Sequence, residues 1–165
     1  MTAFTRKQQV TGLIGWLALS FVASAVGAIA SVQAGAFYTS LDQPGWAPPA
    51  GVFGPVWTTL YALMGIAAWL CWREGGWRAQ RGPLTLFLVQ LAVNAIWSWL
   101  FFVWHLGALS VADIALLWVL IVATLAGFWR ARPLAGVLLL PYLAWVSFAG
   151  FLCYSVWQRN PQVLG

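Results

Sequence analysis

The sequence predicts an all-α integral membrane protein: a bundle of five transmembrane helices with a long first connection that acts as a lid. Three observations carry this reading. Hydrophobic residues make up 62% of the 165 and charged residues 7%, against about 25% charged in a typical soluble domain, so most of the surface must face lipid. Five apolar runs each approach the roughly 20 residues that cross a bilayer core. Thirteen of the residues are Trp, which is favoured at membrane interfaces because its ring is apolar while its N–H needs a polar partner. The length suits one integral membrane domain over residues 1–165.

The first run covers about residues 10–32 and is rich in Ala, Ser and Gly, as helices that pack closely in lipid tend to be. It follows Arg6 and Lys7 without an obvious small-residue cleavage site, so it reads as a retained helix. The second run spans about 52–72, the third 83–104, the fourth 107–129 and the fifth 134–157. Pro55 and Pro83 stand near helix starts, where the missing N–H costs nothing. Pro141 lies inside the fifth run and predicts a kink there.

Most connections are short, which makes consecutive helices antiparallel neighbours. The exception is 33–51, which holds Pro44, Gly45, Pro48, Pro49 and Gly51 together with Phe37, Tyr38 and Trp46. An apolar, proline-stiffened stretch of that length predicts a lid folded over the helix ends. Arg6, Lys7, Arg73, Arg78, Arg81, Arg130 and Arg132 fall on one side of such a topology and only Arg159 on the other. The bias predicts a cytoplasmic N-terminus, with the long connection and the C-terminus outside.

Several function classes are excluded. The basic residues are too dispersed to make a nucleic-acid surface, despite a net charge of +5. Cys71 and Cys153 have no companions at metal spacing and read as buried free thiols. His105, at a helix connection, reads as an interfacial residue rather than a haem ligand, since it is the single histidine. No phosphate-binding loop, zinc motif or serine elbow is present. No cofactor and no metal are expected.

The polar residues inside the runs carry the chemistry. Asp113, in the fourth run, needs a hydrogen-bond donor or must be neutral, and Trp97 or Asn94 is the expected donor. Gln90, Asn94 and Trp97 share one face of the third helix. They serve either as interhelical hydrogen-bonding glue or as a pocket wall that orients a ligand. The mid-run tryptophans Trp69, Trp97, Trp118 and Trp145 suit a cavity for a flat ligand.

The stretch from Trp46 through Ala47-Pro48-Pro49 to Trp57, Tyr61, Met64 and Gly65 resembles the signature of the tryptophan-rich sensory protein / translocator protein family. Further matches follow in order: Gln90 to Trp97 and Leu100 to Phe102, Asp113, Pro141 to Phe148, and Tyr154 to Trp157. The similarity covers roughly residues 20–160. It implies a five-helix bundle, commonly a homodimer, that binds tetrapyrroles of the protoporphyrin IX type and hydrophobic drug-like ligands beneath the first loop. Carried onto this sequence, the ligand site comprises Trp46, Trp57, Tyr61, Asn94, Trp97, Trp145, Phe148 and Ala149, with Gln90 and Asp113 as structural polar groups. The expected role is porphyrin sensing, transport or regulation of tetrapyrrole metabolism. The alternatives are light-dependent porphyrin degradation involving Trp46 and Trp145, or a small exporter of hydrophobic drugs using Asp113. The family's cholesterol-recognition stretch is only partly kept: Cys153 replaces an asparagine often found there and Gln158 a basic residue, which counts against sterol binding.

Overall fold

Thr5 sets where the first helix begins. Its Oγ1 accepts from the Gln8 amide at 3.3 Å, and Gln8 Oε1 accepts from the Thr5 amide at 2.9 Å. This reciprocal capping box satisfies two amides of the first turn. The helix α1 (Arg6–Ala30) therefore starts four residues before the apolar run expected from residue 10. The structure is a computed structural model and describes residues 4–165.

Along the rest of the chain lie α2 (Ala34–Ser40), a 3₁₀ turn (Ala50–Val52), α3 (Phe53–Trp72), the single-turn α4 (Gly76–Ala79) and α5 (Arg81–Ser98). A π-helical turn (Trp99–Val103) extends α5 and leads to α6 (Gly107–Ala131), α7 (Pro133–Val137), α8 (Leu140–Arg159) and α9 (Pro161–Leu164). No strand occurs among the described residues. Five segments are long and apolar enough to cross a membrane: Arg6–Ala30, Ala50–Trp72, Arg81–Val103, Gly107–Ala131 and Pro133–Arg159. The fold is thus an all-helical five-span bundle. The expected kink at Pro141 takes the form of a break at Leu138–Leu139 between α7 and α8, with Pro141 in the first turn of α8. There its missing N–H has no acceptor to lose.

The spans form a ring. α1 packs along α3 and α5, α5 along α6, and α6 along α8, while α7 returns to α3. One end of the ring is tight. The Trp69 indole donates to Gln9 O at 2.9 Å, Phe4 stacks on Trp72 at 4.2 Å, and Arg132 pairs with Glu74 at 3.1 Å. Close approach of α1 and α3 depends on Gly65, where a Cβ would lie 3.0 Å from Leu17 Cα. Gly75 and Gly76, at φ 106° and 77°, make the turn after α3 that an L side chain would strain. The seven basic residues Arg6, Lys7, Arg73, Arg78, Arg81, Arg130 and Arg132 all belong to the helix ends and turns on this side.

At the other end α3 and α8 touch sparsely, and the connection 33–51 covers the gap. Phe37 of α2 sits edge-on to Phe101 and Phe102 at 6.2 and 6.3 Å and stacks on His105 at 4.4 Å. His105, expected at the lipid headgroups, gives one ring face to the lid and takes a left-handed backbone at φ 53°. Tyr38 is buried and donates to Pro48 O at 3.1 Å; burial holds its hydroxyl above the ordinary pKa of 10.0, so it stays a donor at neutral pH. Gln43 Nε2 also donates to Tyr38 O. Asn160 ties the lid to the end of α8, accepting from the Asp42 amide at 2.8 Å and donating to Asp42 O at 2.9 Å. Arg159 adds an ion pair to Asp42 at 3.6 Å.

Candidate functional site

Under this lid the ring encloses a cavity of about 400 Å³. α3 contributes Trp57 and Tyr61 from successive turns, which share a face because they are four residues apart. α5 contributes Asn94 and Trp97, and α8 contributes Trp145 and Ala149. α1 closes the side with the small residues Ser24, Gly27 and Ser31, and Tyr38 and Phe101 form part of the roof. No Asp, Glu, Lys, Arg or His lines the cavity among the described residues.

The polar groups at its base are used up by one another. Tyr61 Oη donates to Asn94 Oδ1 at 2.8 Å, and Asn94 Nδ2 donates to Tyr142 Oη at 2.7 Å. Tyr142 Oη donates onward to Gln90 Oε1 at 2.7 Å, and Gln90 Nε2 reaches Met64 Sδ at 3.9 Å. In an apolar interior such a chain is stable only when each member is satisfied. Two indole donors are left without a partner. Trp97 Nε1 and Trp145 Nε1 are buried, belong to cavity-lining residues and have no hydrogen-bond partner. The cavity therefore offers flat aromatic faces without a charge.

Residues 15–158 match the sequence profile of the TspO/MBR family. The chain belongs to this family. It is 41% identical to Protein CrtK of Rhodobacter capsulatus over 84% of this chain and 86% of that protein. It is 42% identical to the Tryptophan-rich protein TspO of Chlorobaculum tepidum over 76% of this chain and 80% of the relative. The human Translocator protein is 40% identical over 75% of each chain.

In this TspO/MBR chain, six of the residues named from the sequence lie on one cavity: Trp57, Tyr61, Asn94, Trp97, Trp145 and Ala149. Trp46 and Phe148 are not among the lining residues. Trp46 is 52% exposed on the lid and meets Phe148 edge-on at 5.8 Å, outside the cavity. Gln90 is buried beneath it as the acceptor for Tyr142. Asp113 corrects an expectation: it bonds neither Asn94 nor Trp97, and its Oδ2 is buried without a partner. The Asn94 amide is taken by Tyr61 and Tyr142 instead, and Trp97 Nε1 reaches no acceptor. Of the mid-run tryptophans, Trp69 bonds Gln9 at the tight end and Trp118 bonds Ser147 at 2.8 Å on an exposed face, so neither lines the cavity.

Tyr142, which joins Asn94 to Gln90, is not singled out by the sequence. Its signal was present, since a tyrosine hydroxyl in mid-span needs a partner, but only the fold shows that Asn94 and Gln90 lie opposite. The α1 wall was equally hidden, because small residues at a packed interface and at a cavity look alike in sequence.

Proposed function

We propose that this protein binds a tetrapyrrole of the protoporphyrin IX type, or a comparably flat hydrophobic molecule, in the cavity beneath the lid. The observation that carries the reading is the convergence of Trp57, Trp97 and Trp145 from three helices on one uncharged space. A flat apolar macrocycle is matched by indole faces. The volume falls within the about 300–1,000 Å³ usual for small-molecule sites. A relative named Translocator protein fits a role in moving such a ligand. A proton-coupled exporter gains no support, because Asp113 is outside the cavity lining. The reading includes a homodimer and a cytoplasmic N-terminus, the latter because seven basic residues cluster at the tight end.

Titration of the purified protein with protoporphyrin IX, in the dark and under illumination, tests this. Saturable quenching of tryptophan fluorescence with intact porphyrin bands is the expected result in the dark, and absence of saturable quenching overturns the reading. Loss of the bands in light, abolished by Trp145→Phe, would assign degradation rather than binding alone.

A further inference from the structure

A second concavity lies on the outside of the bundle, between α3 and α8. Its α3 wall includes Pro55, Thr59 and Leu63, and its α8 wall Pro141, Ala144 and Phe148. These positions recur at helical spacing, so each helix turns one face to the groove. Pro55, Thr59, Pro141 and Ala144 are exposed, and all lie within membrane-crossing segments. The hydroxyl of Thr59 is satisfied by Pro55 O at 3.0 Å, so this wall presents no unsatisfied side-chain polar group to lipid.

One residue belongs to both spaces. Trp145 lines the groove and also the inner cavity. Its ring is flanked by Phe53 at 5.8 Å and Phe148 at 5.5 Å, and its Nε1 holds no hydrogen bond. Rotating this side chain therefore breaks apolar contacts only. The roof is held differently, by the paired Asn160–Asp42 hydrogen bonds, the Arg159–Asp42 ion pair and the Phe37–His105 stack. The side between α3 and α8 is also where the ring of spans is least tightly packed.

We propose that the α3–α8 groove is a lateral portal through which a hydrophobic ligand dissolved in the bilayer enters the cavity, with Trp145 as the gate. The proposal rests on the binding reading above and adds the route. A bilayer-dissolved ligand reaches the groove without crossing water, and entry through the side leaves the lid's polar ties intact.

The test uses the full-length protein in lipid nanodiscs, with protoporphyrin IX delivered from preloaded vesicles and stopped-flow tryptophan quenching as readout. Ala144→Trp and Thr59→Phe add bulk to opposite walls of the groove, and neither residue lines the cavity. A blocked portal slows entry and exit together. Association and dissociation rates each fall about tenfold, corresponding to about 1.4 kcal/mol of added barrier, while Kd stays unchanged. Thr59→Phe carries the test if Ala144→Trp proves unstable. Parent-like rates in a folded variant overturn the portal, as does a weakened Kd with faster dissociation, which would make the groove part of the site. Failure of the parent itself to bind removes the binding reading and the portal with it.

Discussion

The hydroxyl of Tyr142 donates to the side-chain oxygen of Gln90 at 2.7 Å, joining α8 to α5 in the middle of the bundle. Tyr142 Oη in turn accepts from Asn94 Nδ2, so one phenol holds both polar residues of the α5 face. Tyr142→Phe takes the partner from Gln90 Oε1 and from Asn94 Nδ2, at an expected cost of about 1–3 kcal/mol. A lowered unfolding midpoint in detergent, with the fold retained, checks this. An unchanged midpoint would show that the chain of bonds contributes nothing to stability.

The lid depends on Asn160. Asn160→Ala removes both hydrogen bonds to Asp42 and leaves the Arg159–Asp42 pair, and such an exposed ion pair contributes only about 0–1 kcal/mol. Amide hydrogen exchange across residues 34–51 is expected to accelerate several-fold, since each lost bond is worth about 1 kcal/mol. Exchange unchanged from the parent would mean that the lid is held without Asn160, by the contacts of Phe37 and Tyr38 and the Arg159–Asp42 pair.

The spans were legible in sequence because hydropathy and length fix them, and their observed ends differ from expectation by a few residues. Where α1 starts was readable in principle from Thr5 and Gln8, a local pattern. The π-helical turn at Trp99–Val103 was not, since nothing in Trp99-Leu-Phe-Phe-Val distinguishes it from a regular helix. At the site, Trp57, Tyr61, Asn94 and Trp97 were legible because each pair shares a helix face. Trp46 and Asp113 show the limit. Whether a lid residue points inward, and which donor reaches a carboxylate, depends on packing between helices, which spacing along one chain does not encode.

Orientation is testable with one added thiol. Cys71 and Cys153 are buried, so a membrane-impermeant maleimide reads a cysteine placed at Gln43 with little background. Labelling from the outside of intact cells is expected. Reaction only after the cytoplasmic side is exposed would reverse the assigned topology.

Replacing aromatic walls one at a time separates the cavity from the lid surface. Loss of a stacking platform costs about 1–3 kcal/mol, so Trp57→Phe and Trp145→Phe should each weaken protoporphyrin IX binding moderately. Trp46→Phe should have the smaller effect, because Trp46 sits outside the lining. If Trp46→Phe is the most damaging of the three, the ligand lies on the outer face of the lid.

Filling the cavity separates a ligand bound inside it from one bound elsewhere. Ala149 lines it on the α8 side, next to Trp145 and among Asn94, Trp97 and Trp57. Ala149→Trp places an indole in a space of about 400 Å³ and leaves the ties between Asp42 and Asn160 untouched. Equilibrium titration of the folded variant with protoporphyrin IX is the measurement. Occupation of the cavity predicts that affinity falls about a hundredfold or more, about 3 kcal/mol, while the unfolding midpoint stays near that of the parent. A folded Ala149→Trp protein that binds protoporphyrin IX with the parent's Kd would show that the ligand does not occupy this cavity.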